Sequence, residues 1–150
     1  YEMLKEEQPD FAAAAKRVPD EEAWEKKVCD CYEDAAPGIL ALEKQCRKNS
    51  VENRNRRLKV MEEKWPEIRD LIEKEIPSHR EMEKMMASLG EPVNPRQIGI
   101  SSELVRDAVI LAKEVRNRFT ILQVLWDLGL LDIYAEKVAE YFRSEQEIMQ

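Results

Sequence analysis

The chain has 150 residues, 43% of them hydrophobic and 37% charged, with a formal net charge of −7 and an isoelectric point near 5.0. That acidic balance argues against a sequence-independent nucleic-acid binder, which needs surplus Lys and Arg to displace phosphate counterions. No apolar run approaches the about 20 residues of a spanning helix, and four glycines with no alternating strand-like runs point to an all-helical chain.

Tyr1 to Gln8 is helix-like and stops at Pro9, and the chain starts inside this pattern as though cut from something longer. Asp10 is placed to cap a short helix through Ala12–Ala15, and Asp20 to cap a second one carrying Trp24, Val28, Cys31 and Tyr32 near one side. Pro37-Gly38 reads as a break, after which Ile39, Leu40 and Leu42 begin another helical piece. Ser50 or Asn49 caps a longer helix whose apolar residues Leu58, Met61, Trp65, Ile68, Ile72 and Ile76 recur at three- and four-residue steps. Pro66 inside that run predicts a kink or short break.

Ser78 with Glu81 forms a capping-box pattern, followed by Met82, Met85, Met86 and Leu89 on one side and by Gly90 as the terminating residue; the three methionines are read as core packing, with a flexible ligand groove as the alternative. Residues 91–100, with two prolines and a glycine, form a loop. Ser101 or Ser102 then caps a helix whose expected stripe is Leu104, Ala108, Leu111, Ala112 and Val115. Ile121 to Gly129 is the most apolar stretch and is assigned to the core. A last helix from about Asp132 carries Ile133, Ala135, Val138, Tyr141 and Phe142 on its apolar side. Because single amphipathic helices are unstable in water, these stripes predict a helical bundle or array of about six to eight helices.

Residues able to carry chemistry are sparse. Cys29, Cys31 and Cys46 are an odd number without zinc-site spacing, which points to free thiols in a reducing compartment, the cytoplasm. On a helix, Cys29 and Cys31 face apart. His79, the lone histidine, follows a cap serine and is read as an exposed first-turn residue. The chain has no Gly-rich nucleotide loop and no zinc-protease or nucleophile-elbow motif, so no catalytic, cofactor-binding or metal-ligating residue is assigned. The basic run Arg54 to Lys59 is short and soon followed by acidic residues. Arg116 and Arg118, beside Phe119 and Thr120, are the residues singled out, because guanidinium donors match phosphate oxygens in pairs. Their alternative role is ion pairing or packing.

Several stretches carry a family resemblance. They are Leu89-Gly90-Glu91-Pro92, Pro95-Arg96-Gln97-Ile98-Gly99-Ile100, Arg116-Asn117-Arg118-Phe119-Thr120-Ile121-Leu122 and Asp127-Leu128-Gly129-Leu130-Leu131. Across 77–131 the sequence resembles the C-terminal helical domain of the sn-glycerol-1-phosphate dehydrogenases, which group with iron-containing alcohol dehydrogenases, glycerol dehydrogenases and dehydroquinate synthases. Tyr1-Glu2-Met3-Leu4 looks like the tail of a family helix that follows a metal-binding histidine.

The resemblance implies a two-domain, NAD(P)-linked oxidoreductase acting on dihydroxyacetone phosphate, with a divalent metal, commonly zinc, held by an Asp and two His. Those ligands would fall before Tyr1, and His79 matches none of them. On this reading residues 1–150 are one helical domain, inactive alone. Its partners would be a separate nucleotide-binding domain and further copies in a homo-oligomer, with neither nucleic acid nor membrane. The competing expectations are a free-standing helical interaction module and a domain of a related glycerol dehydrogenase.

Overall fold

The computed structural model describes residues 1–144, and among them there are nine α-helices and no strand. They are α1 (Glu2–Lys5), α2 (Phe11–Lys16), α3 (Glu21–Tyr32), α4 (Ala36–Cys46), α5 (Val51–Glu75), α6 (His79–Ser88), α7 (Ser102–Leu111), α8 (Ile121–Asp127) and α9 (Leu131–Ser144). Leaving aside the very short α1 and α2, seven helices make up the array, within the expected six to eight. None of the described helices is long and apolar enough to cross a membrane.

The helix starts follow local side-chain chemistry. Asp10, Asp20, Ser50, Ser78 and Ser101 each accept a hydrogen bond from a main-chain N–H three residues on. At α6 the box is reciprocal: Ser78 Oγ accepts from the Glu81 N–H at 3.3 Å, and Glu81 accepts from the Ser78 N–H at 2.8 Å. Two glycines end helices with positive φ, Gly90 at 75° and Gly129 at 76°. In both places the next N–H group turns back onto the helix, Glu91 to the Met86 carbonyl (3.0 Å) and Leu130 to the Leu125 carbonyl (2.8 Å).

Helix α5 is the spine. Its stripe of Leu58, Met61, Trp65 and Ile72 is buried, as its spacing requires, and joins Leu4, Ala14, Val124, Leu125, Leu128, Leu131 and Tyr134 in the main core. Helices α1, α2 and α8 pack on it, and α9 packs on α8. A second, smaller core of Val28, Ala36, Ile39 and Leu111 joins α3, α4 and α7. Each fully buried side chain of this size contributes about 1.5–3 kcal/mol.

The expected apolar faces needed correction in several places. Pro66 does not interrupt α5, which runs unbroken through it. The ring sits on the exposed side, where the backbone can accommodate it and water can reach the freed carbonyl. Pro66→Ala is therefore expected to stabilise the chain by about 2 kcal/mol, and an unchanged or lower melting midpoint would contradict this. The break expected at Pro37-Gly38 lies earlier, at Glu33 (φ 44°) and a 3-10 turn over Glu33–Ala35. Pro37 instead occupies the first turn of α4, where a missing N–H costs nothing.

On α7 the expected stripe faces largely outward: Leu104, Ala108, Ala112 and Val115 are exposed, and of that set Leu111 alone is buried. The helix instead turns Ser102 and Val105 inward and packs closely on α9. Ile133 on α9 is likewise exposed, while Tyr134, Ala135 and Ala139 are buried. Cys31 is exposed rather than part of the inner side of α3. On α6, Met82, Met85, Met86 and Leu89 all face solvent instead of packing in the core, and the helix buries no residue.

Candidate functional site

A chain this rich in Lys and Glu can keep its charges in water, yet several are buried. Lys48, Arg54, Lys113, Glu114, Gln123 and Asp127 are each at most 9% exposed. Such groups persist inside a protein only when hydrogen-bonded or paired.

The first part of this polar centre surrounds Glu114, in a 3-10 turn over Ala112–Glu114 that follows α7. Its carboxylate contacts the Lys113 ammonium and accepts from the Trp24 indole N–H at 2.9 Å and from Asn49 Nδ2 at 3.1 Å. Lys48 Nζ lies 3.4 Å away. Lys113 also donates to Asn49 Oδ1 (3.0 Å) and lies over the Trp126 ring, 4.5 Å from its centroid.

The second part is the pair of Arg57 and Asp127, a two-pronged contact at 2.5 and 2.7 Å. Gln123 links the two parts. Its Nε2 donates to Asp127 Oδ1 (3.1 Å) and to Asn49 Oδ1 (3.4 Å). Arg54 donates to the carbonyls of Ala15 (3.2 Å) and Arg17, at the C-terminal end of α2 where acceptors are free. The Arg17 guanidinium, in turn, stacks 4.9 Å from the Trp126 ring centroid. A cleft of about 870 Å³ opens onto this centre between Trp24, Trp126, Lys113, Glu114 and Arg17.

Electrostatics follow from this burial. Burial pulls the Lys113 ammonium and the Arg54 guanidinium below their ordinary values. Burial alone would raise the Glu114 carboxyl, but Lys113 and Lys48 outweigh it and hold the group below the ordinary 4.5. A depressed carboxyl stabilises the fold above its unfolded value and loses that contribution as pH falls through the folded one. The chain should therefore lose stability on acidification below about pH 4.5. Urea midpoints of the wild type and of Glu114→Gln across that window would check it, the variant showing the shallower dependence.

The sequence-derived candidates fall elsewhere. Arg116 and Arg118 lie on an exposed, non-helical loop before α8, and neither guanidinium forms a hydrogen bond or ion pair among the described residues. The basic run at the start of α5 is not a basic surface, since Arg54 is buried and Arg57 is committed to Asp127. His79 is exposed, as expected of a first-turn residue. It is not isolated, however: its ring contacts Glu2 and meets the Tyr141 ring edge-on at 5.8 Å. Through that contact His79 holds the Glu2 carboxyl below its ordinary range.

The buried charges Arg54, Lys113, Glu114 and Asp127 were not identified from sequence. The only signal was their place on otherwise apolar faces, such as Arg54 four residues before Leu58.

The described residues do not fit a metal centre or a dinucleotide cradle. No three His, Cys, Asp or Glu side chains converge among them, and Cys29, Cys31 and Cys46 are separate free thiols. With no strand among them, there is also no strand-to-helix turn of the kind that cradles pyrophosphate. No reaction step can therefore be drawn through a metal or nicotinamide from these side chains.

Comparison with known proteins adds what geometry cannot. Over 64 residues, 43% of this chain, the sequence is 36% identical to the glycerol-1-phosphate dehydrogenase [NAD(P)+] of Bacillus licheniformis, covering 16% of that protein. Over 67 residues, 44% of the chain, it is 34% identical to the protein of the same name from Methanospirillum hungatei, covering 18% of it. The chain carries a segment similar to glycerol-1-phosphate dehydrogenases. The aligned stretch is thus less than a fifth of either relative. No protein-family model matches the chain, and no solved structure matches it significantly.

Proposed function

We propose that this chain is the helical portion of a metal-dependent, NAD(P)-linked sn-glycerol-1-phosphate dehydrogenase, which interconverts dihydroxyacetone phosphate and sn-glycerol 1-phosphate in the cytoplasm. The observation that carries this reading is the similarity to two such dehydrogenases from a bacterium and a methanogen, at 36% and 34% identity.

On this reading the nucleotide pocket and the metal ligands, with zinc the leading candidate, belong to polypeptide other than the described residues. The helices brace that reaction centre. Arg116 and Arg118 are the groups of this chain assigned to the substrate's phosphate, which suits their exposed guanidiniums, unpaired among the described residues. The outward apolar faces of α6 and α7 support a further partner, since contiguous exposed apolar surface commonly marks a covered face. A nucleotide-binding domain and a second copy of the enzyme are the partners proposed.

The test compares the 150-residue chain with a longer protein that contains it. The chain alone should neither bind NADH or NADPH nor reduce dihydroxyacetone phosphate, and the longer protein should do both while leaving glycerol untouched. Turnover by the chain alone, or a longer protein inactive on dihydroxyacetone phosphate with each nucleotide and with zinc supplied, would overturn the proposal.

A second reading, a helical module that recruits partner helices, draws on the exposed methionines of α6. It would be favoured by a longer protein without any dehydrogenase activity.

A further inference from the structure

The loop that carries Arg116 and Arg118 is exposed along its side chains but tied down along its main chain. Residues 115–119 form no helix or strand. Lys48 Nζ donates to the carbonyl of Lys113 at 2.5 Å and reaches that of Arg116 at 3.5 Å. The Arg116 carbonyl also accepts from the Arg118 N–H at 2.8 Å, closing a tight turn. Arg57 lies over the Phe119 ring, 5.9 Å from its centroid, and donates to the Lys48 carbonyl at 2.9 Å. Lys48 is thus held from behind while it holds the loop from below. Val115, Arg116, Arg118 and Phe119 nevertheless remain exposed.

Two physical facts give this arrangement meaning. Ordering an exposed loop costs conformational entropy that its own solvent-facing side chains do not return. A buried ionic cluster is commonly no more stabilising than apolar residues of the same volume. The bonds from Lys48 run to main-chain carbonyls across more than sixty residues of sequence, so they fix the path of the backbone.

We propose that Lys48, backed by Arg57 and Glu114, is a positioning residue that locks loop 115–119 so that Arg116 and Arg118 project in a fixed geometry toward an anionic phosphate group. The locking of the loop stands on this structure alone. The identity of the phosphate as that of dihydroxyacetone phosphate rests on the function proposed above.

Two measurements separate these parts. In the 150-residue chain, Lys48→Met should speed amide hydrogen exchange of residues 115–119 by about tenfold or more, with the amides of α5 and α9 unchanged. Lys48→Arg, which keeps a charged donor, should restore most of the protection. Phe119→Ala, at an exposed position that cannot threaten the core, should loosen the loop in the same direction and serves as the reporter if Lys48→Met unfolds the chain.

In the longer enzyme, Lys48→Met should raise KM for dihydroxyacetone phosphate by about tenfold with kcat within about twofold, as should Arg116→Met, because a remote phosphate contact acts mainly on binding. Unchanged exchange in the loop for both Lys48→Met and Phe119→Ala would overturn the positioning role. Faster exchange with an unchanged KM, for Lys48→Met and for Arg116→Met, would keep the lock and discard the substrate assignment.

Discussion

Asp127→Ala is expected to destabilise the chain by about 3–5 kcal/mol. The Asp127 carboxylate is fully buried and binds Arg57 with two short contacts while accepting from Gln123. Removing it leaves Arg57 largely buried with no carboxylate partner. It also removes an anion that favours the charged forms of Arg17 and Arg54. For a domain of this size the loss corresponds to a fall in melting temperature of about 10 °C or more. Urea titration measures it directly, and a change of about 0.5 kcal/mol or less, the size seen for surface substitutions, would refute the view of Asp127 as the keystone of the buried centre. The double variant Arg57→Met with Asp127→Leu should recover part of the loss, because the Arg57 charge goes with its partner, while Gln123, Arg17 and Arg54 still lose the carboxylate.

Trp65→Ala is the second large effect, with an expected loss of about 3–5 kcal/mol. Trp65 is buried on the inner stripe of α5, and the Phe11 ring meets it edge-on at 5.7 Å between centroids. Its indole N–H donates to the Glu7 carbonyl at 3.2 Å. One side chain therefore fixes both the connection between α1 and α2 and the start of α2 onto the spine. Its removal should also raise hydrogen exchange in 1–16 more than in α9. Uniform change along the chain would show that the N-terminal helices do not depend on this contact.

The helix starts and the spine were legible because they are local. An Asp or Ser before a helix can satisfy free N–H groups whatever surrounds it, so Asp10, Asp20 and Ser78 could be named from sequence, and Ser50 and Ser101 each as one of two neighbouring candidates. The stripe from Leu58 to Ile72 could be read because the opposite face of α5 is charged, leaving one possible inner side. Helix α7 offered no such contrast: Leu104, Ala108 and Ala112 make one apolar stripe, while Val105 and Val109 make another. Only the neighbouring α9 chose between them. The methionines of α6 carried a strong helical pattern with nothing among the described residues to cover it, and periodicity cannot say whether a partner surface exists.

The sequence by itself determined the all-helical class, the caps, the glycine stops, the buried spine and a segment similar to glycerol-1-phosphate dehydrogenases, since each rests on neighbours a few residues apart. Tertiary structure alone decided which charges went inside. Glu114 with Trp24, Asp127 with Arg57 and Lys48 with the loop of Arg116 are joined across 68 to 90 residues. A buried charge is tolerated only where its partner arrives, and the chain's own order does not encode that meeting.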